Sequence, residues 1–222
     1  MQYLFDSEAG VETLSVKEEN YRYLFKVRRH KVGEVIALRN LKDNFLYSYK
    51  IENISKKEAL LVLKDKKELV IKPSKYLHLG WCVVDPKTIE KTLPMLNEIG
   101  VSKISFIYCQ RSQKNFKINF KRLDKIVLSS SQQCGRSMMM EFEEIKNLQN
   151  FLEIYPNSAI MDFNGKDIKK TSLFSTVVVG CEGGFSENER KLFENKPIYK
   201  LNTPMILKSE SAVVSISAIT LL

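Results

Sequence analysis

From Pro73 onward, apolar runs of strand length alternate with helical segments, and this alternation limits the possible folds more than any other feature of the chain. The strand-like runs are Leu77–Val84, Ile104–Tyr108, Ala159–Phe163, Thr176–Gly180 and Ile198–Leu201. Between and after them the patterning predicts helices over residues 86–99, 119–134, 186–195 and 208–221. Strands joined through helices run parallel, in one sheet covered on both faces. Local signals agree: Asp85 caps a helix with Pro86 in its first position, and Gly100 stops it. Ser186-Glu187-Asn188-Glu189 is a capping box that starts a helix directly after Gly183-Gly184. Pro94 falls inside the first helix and predicts a kink.

Residues 1–70 have a different texture. Gly33–Leu38, Phe45–Ile51 and Ala59–Leu63 are short strand-like runs separated by polar turns at 40–44 and 53–58, the pattern of a small β-barrel or sandwich. A short helix is predicted from Glu18 to His30, running into the basic cluster Arg28-Arg29-His30-Lys31. The charged stretch Lys64–Lys72 reads as a linker, so two domains are expected, 1–70 and 73–222.

The 222 residues are 44% hydrophobic, enough for a buried core. No apolar run approaches the ~18 residues of a membrane span. The early acidic residues Asp6, Glu8 and Glu12 do not fit a secretion signal, and a cytoplasmic location is expected. Four scattered cysteines without a CxxC pair, and only two histidines, predict neither a metal site nor a histidine acid–base centre. Cys82 and Cys109 lie in apolar runs and are expected to be reduced core thiols. The formal charge of +9 favours a polyanionic partner, with nucleic acid foremost. Tyr21, Tyr23 and Phe25 just before the basic cluster suit stacking on RNA bases, although tyrosines at this spacing are more often partly buried on a helix face.

Gly180-Cys181-Glu182-Gly183-Gly184 is neither a Walker loop nor a GxGxxG fingerprint; a structural turn and a ligand loop both fit it. Glu182 beside that turn favours a cationic ligand. In Gln133-Cys134-Gly135-Arg136, Gly135 is a candidate helix stop. Arg136 is placed at the sheet edge, either to bind phosphate or a base edge, or as a helix-end cation. Lys208-Ser209-Glu210-Ser211-Ala212 opens the last helix, where Glu210 complements the helix dipole.

The ordered blocks Asn97–Val101, Gln110-Arg111-Ser112, Gln133–Arg136, Gly180–Ser186 and Ile206–Ala212, with Val27–Glu34 near the start, resemble the RsmE family of 16S ribosomal RNA (uridine-N3) methyltransferases. The resemblance implies an amino-terminal PUA-like barrel and a SPOUT-type parallel sheet with a trefoil knot. It further implies S-adenosylmethionine as cofactor, ribosomal RNA of the small subunit as substrate, and a homodimer without a metal. By position, Gly180, Glu182, Gly183 and Gly184 with Leu201, Asn202, Met205, Ile206, Leu207 and Ser211 would hold the cofactor. Arg136 and Glu210 would be catalytic, and Arg28, Arg29, Lys31, Arg111 and Lys208 would contact RNA. The chain departs from the family at Cys181 and Met140, where proline is usual, and at Met205 and Lys208, where arginine is usual. Tyr23 stands where histidine is common. Another RNA target for the same chemistry (a ribose 2′-hydroxyl or transfer RNA), or a non-catalytic RNA-binding role, stays open on these residues.

Overall fold

The computed structural model describes residues 2–112, 115–169 and 174–222. They form two compact units, one running to Lys72 together with Leu128–Met139, the other Pro73–Val127 with Met140–Leu222.

The first unit holds strands β1 (Leu4–Phe5), β2 (Thr13–Lys17), β3 (Val35–Arg39), β4 (Phe45–Ile54) and β5 (Glu58–Glu68) in the order β1-β3-β4-β5-β2. The sheet is a curled half-barrel. Alternation puts one face of each strand inside: Leu14 and Val16, Ile36 and Leu38, Tyr49 and Ile51, and Ala59 and Leu61 belong to one core. Between β2 and β3 lie helix α1 (Glu18–Tyr21) and a π-helical turn over Arg22–Val27 that closes with the Arg28 N–H donating to the Tyr23 carbonyl, 2.9 Å. Arg39 is buried; Nη2 donates to the Leu69 carbonyl (2.7 Å) and its guanidinium lies over the Tyr3 ring.

The second unit carries β6 (His78–Cys82), helix α2 (Pro86–Ile99), β7 (Lys103–Ile107), helix α3 (Phe120–Cys134), β8 (Glu141–Ile145), helix α4 (Leu148–Ile154), β9 (Ala159–Asp167), β10 (Thr176–Val179), helix α5 (Glu187–Lys191), β11 (Ile198–Lys200) and helix α6 (Ser209–Leu221). The second half of α3 belongs to the first unit, where the Gln2 N–H donates to the Gln132 carbonyl. All six strands are parallel, ordered β11-β9-β10-β6-β7-β8, with β6 and β10 interior. Every residue of β6 is buried.

The α2 cap forms as expected: the Asp85 carboxylate accepts from the Thr88 N–H, Pro86 opens the helix and Gly100 stops it at φ +110°. Helix α2 runs through Pro94 as one element. Helix α5 is shorter than the predicted 186–195. Strand β8 and helix α4 were not anticipated, because Glu141-Phe142-Glu143-Glu144-Ile145 is too charged to read as a strand; it forms one as a sheet edge. The expectation of reduced core thiols is corrected, since Cys82 and Cys109 are joined in a disulfide. Neighbouring strands β6 and β7 end together, and a turn after Ile107 brings the two Cα atoms to 5.8 Å. A separation of 27 residues hid that proximity.

At the opposite ends of β6, β7 and β8 is a polar cluster. Ser105 donates to Glu143, His78 Nε2 is 2.5 Å from Ser105 Oγ, and Lys103 Nζ lies 3.1 Å from Glu143. Tyr155 also donates to Glu143, 2.7 Å. Burial, and then the Lys103 ammonium, push the pKa of His78 down to about 4 against the pull of Glu143. Burial is the largest influence on Glu143 and raises it, but the bonds from Ser105, Tyr155 and Lys103 outweigh it and hold the carboxyl below its ordinary value. An unfolded chain protonates this histidine near pH ~6.5 and the folded one only near 4. The unfolded state therefore binds more protons in that window, and stability falls as pH drops through it. We expect a loss of about 2–3 kcal/mol from His78 by pH 4. Denaturant titrations followed by Trp81, the only tryptophan, should show it. An equally steep acid loss in His78→Gln would refute the assignment.

Candidate active site

Strand β10 pairs through Val179 with Met161 of β9 and with Trp81 of β6, so the chain leaves the sheet at Gly180, between two parallel neighbours. Ligands of open parallel sheets bind at this carboxyl edge. The Gly184 N–H donates to the Cys181 carbonyl (2.9 Å), and Gly184 has φ +63°, a conformation that a side chain disfavours. The Ser186 hydroxyl accepts from the Glu189 N–H while Glu189 Oε2 accepts from the Ser186 N–H, completing the predicted capping box. Glu189 has a second task that the sequence did not disclose: its Oε1 accepts from the Gln110 N–H at 2.8 Å, tying the turn to the loop after β7. On the same loop Arg111 Nη1 donates to the Gly183 carbonyl, 2.6 Å.

A further tie comes from the start of α6. The Ser209 hydroxyl accepts from the buried Trp81 indole N–H (2.9 Å) and donates to the Gly180 carbonyl (2.6 Å). Residues 110–111, 189 and 209 thus hold the glycine turn from two sides through its own backbone and that of its neighbours.

Beside this turn opens a cavity of about 570 Å³, within the ~300–1,000 Å³ usual for small-ligand sites. Gly180, Glu182, Gly183 and Gly184 line it, and so do Leu201, Met205, Ile206 and Leu207. Asn202 and Ser211, assigned with them by resemblance, are exposed and outside its lining. Arg111, assigned to RNA, is in the wall of this cavity. Asp162, Arg190 and Lys200 join it without having been singled out in the sequence. Asp162 follows an apolar run at a strand's carboxyl end, which was the available signal. Two carboxylates, three cations and an apolar remainder suit an elongated ligand bearing both charges, and S-adenosylmethionine meets that description. Cys181 is buried, and burial raises its thiol pKa, so it packs as a small apolar residue in the turn.

Glu210 sits in the first turn of α6, half-buried; its Oε2 is buried and accepts no hydrogen bond among the described residues. Lys208 is the exposed residue preceding that helix. Arg136 belongs to the first unit and is buried, its carbonyl accepting from the Tyr3 hydroxyl at 2.8 Å. Burial pulls its pKa below the usual arginine value. Arg28, Arg29 and Lys31 are exposed on the first unit, where the Arg28 guanidinium lies over the Tyr23 ring and donates to its hydroxyl. Arg29 has a left-handed backbone, φ +60°.

Comparison with known proteins adds a family to this geometry. Residues 72–221 match the model of an RNA methyltransferase domain, and residues 16–64 that of an RNA methyltransferase PUA domain. A parallel sheet with a glycine-turn cavity, preceded by that PUA domain, defines an RNA methyltransferase. The chain is 43% identical to ribosomal RNA small subunit methyltransferase E of Helicobacter pylori strain J99, over 99% of both chains. It is 27% identical to the Aquifex aeolicus protein of the same name, over 98% of both. The chain belongs to the ribosomal RNA small subunit methyltransferase E family. Among solved structures, that of the Neisseria gonorrhoeae enzyme bound to S-adenosyl methionine matches with a TM-score of 0.83 at 23% identity, covering 98% of this chain and 95% of the other. A methyltransferase from Legionella pneumophila, solved with its bound cofactor SAM, matches at 0.82 and 21%, covering 98% and 94%.

Proposed function

We propose that this enzyme methylates N3 of a uridine in small-subunit ribosomal RNA, with S-adenosylmethionine as donor. The observation that carries the reading is the cavity at the carboxyl edge of β9 and β10, closed by a glycine turn and the 201–207 loop. Bound there, the donor supplies an electrophilic methyl group. The chain's task is to hold donor and base in line and to manage one proton. Uridine N3 is an imide nitrogen and becomes a good nucleophile on losing its proton. Glu210 is the acceptor for that proton; a buried carboxylate oxygen without a donor is about 1–3 kcal/mol out of balance, which a substrate N–H corrects. Arg136 and Lys208 are the cations that stabilise the negative charge spread onto the base oxygens. Lys208 does so as a point charge, without the fork of the arginine usual at that place.

The remaining assignments support the same activity. Residues 1–70 serve as the RNA-holding domain, with Arg28, Arg29 and Lys31 on phosphates, and residues 73–222 as the SPOUT domain. The path from β11 through 201–208 to α6, which is bonded back to Gly180 and packs on α2, favours a trefoil knot. The half-exposed small and apolar residues of α6, Val214, Ser215, Ala218 and Ile219, suit a homodimer contact. A cytoplasmic enzyme is consistent with the finding that no described helix is long and apolar enough to cross a membrane.

Mass spectrometry of ribosomal RNA nucleosides from cells with and without the gene tests the product. N3-methyluridine should vanish from the small-subunit RNA of the deleted strain and return with the wild-type gene. Glu210→Gln and Arg136→Met should each slow single-turnover methylation by about 100-fold or more. Unchanged rates in both would overturn the roles given to them.

A further inference from the structure

We propose that Asp162 recognises the ribose hydroxyls of the methyl donor, with Arg190 as its countercharge. The inference rests on the reading that the cavity beside the glycine turn holds S-adenosylmethionine. Asp162 lies one residue beyond Met161, the last β9 residue paired with β10, and so stands at the sheet's carboxyl edge beside Gly180. A carboxylate at the end of the strand next to a glycine turn is the placement that takes a ribose hydroxyl in dinucleotide-binding sheets.

The local chemistry points the same way. The Asp162 side chain is 3% exposed, yet it lines the cavity. Arg190 Nη1 donates to Oδ1 at 2.7 Å, and the Asn164 N–H also donates to Oδ1, at 3.3 Å. Among the described residues both donors therefore use one oxygen, leaving the lone pairs of Oδ2 for a ligand's hydroxyls. The Arg190 charge cancels that of Asp162, so this end of the cavity is electrically balanced and fits neutral hydroxyls better than an ammonium or a sulfonium. Glu182 is the contrast. It is exposed on the turn, and its carboxylate, in no ion pair among the described residues, suits the cationic part of the donor.

The test is calorimetric titration of wild type, Asp162→Asn and Asp162→Ala with S-adenosylhomocysteine and with its 2′,3′-dideoxy analogue. Unfolding midpoints read from Trp81 fluorescence monitor the fold. We expect Asp162→Asn and Asp162→Ala to bind S-adenosylhomocysteine about tenfold or more weakly, the effect of losing a charge-assisted bond. Against the dideoxy analogue all three proteins should bind alike, within about twofold, because the contact is then missing in each. Equal weakening toward both ligands would assign Asp162 to the cavity's shape and overturn the proposal. Undiminished binding of S-adenosylhomocysteine by both variants would also overturn it. Failure of the wild type to bind S-adenosylhomocysteine at all would overturn the cavity reading itself, and this proposal with it.

Discussion

Gly165→Ala should destabilise the second unit by about 3 kcal/mol and weaken binding of the methyl donor. Strand β11 pairs with β9 first through Ile198↔Ile160 and next through Tyr199↔Lys166, so Met161–Gly165 are passed over in the register. That interruption lets Asp162 and Phe163 turn into the cavity wall. It also brings the backbone of Tyr199 against Gly165, where an added Cβ would lie 2.5 Å from the Tyr199 carbonyl carbon and 2.6 Å from its nitrogen. Backbone cannot rotate aside as a side-chain tip can, so the strand pair has to separate, at or above the ~1–3 kcal/mol usual for overpacking. Lys200 at the end of β11 and Leu201 just after it, which line the cavity, would move with it. Denaturant unfolding read from Trp81 fluorescence, with Asn164→Ala as an exposed neighbouring control, measures the effect. An unfolding midpoint for Gly165→Ala within that control's range would show that the close approach is not required.

The other large effect is expected at Trp81. Its side chain is fully buried in the interior strand β6, and its indole N–H donates to Ser209. Trp81→Ala should cost about 3–5 kcal/mol through the cavity it leaves. Trp81→Phe keeps most of the volume but removes the donor, and should cost about 1 kcal/mol. The informative quantity is donor affinity. Ser209 passes the tie from Trp81 to the Gly180 carbonyl, so Trp81→Phe should lower that affinity by more than its stability loss explains, and Ser209→Ala should do the same. Calorimetric titration beside circular-dichroism unfolding separates the two quantities. Normal affinity in both variants would exclude Ser209 as a support of the turn.

Much of the second unit was legible in the sequence because its signals are local. Asp85-Pro86, Gly100 and the Ser186–Glu189 box act through neighbours three or four residues away, and their helices begin and end where those residues place them. The ordered blocks likewise pointed to the family that the comparisons identify. What stayed hidden depends on partners distant in sequence. Strand β8 owes its existence to pairing with β7, not to its own glutamates. The Cys82–Cys109 bond and the burial of Arg136 come from tertiary placement, and neither residue type nor spacing announces them. In the site, the glycine turn was visible as a turn. The pair Asp162–Arg190 was not, since its members stand 28 residues apart in elements that meet only in the folded sheet.

The Ser209 relay has a consequence for when the enzyme becomes competent. Its hydroxyl joins strand β6 to a turn 29 residues before it, and its own indole partner was synthesised 128 residues earlier. A nascent chain that has emerged only as far as β11 has all six strands but not the hydroxyl that closes the turn, so the donor site is finished last.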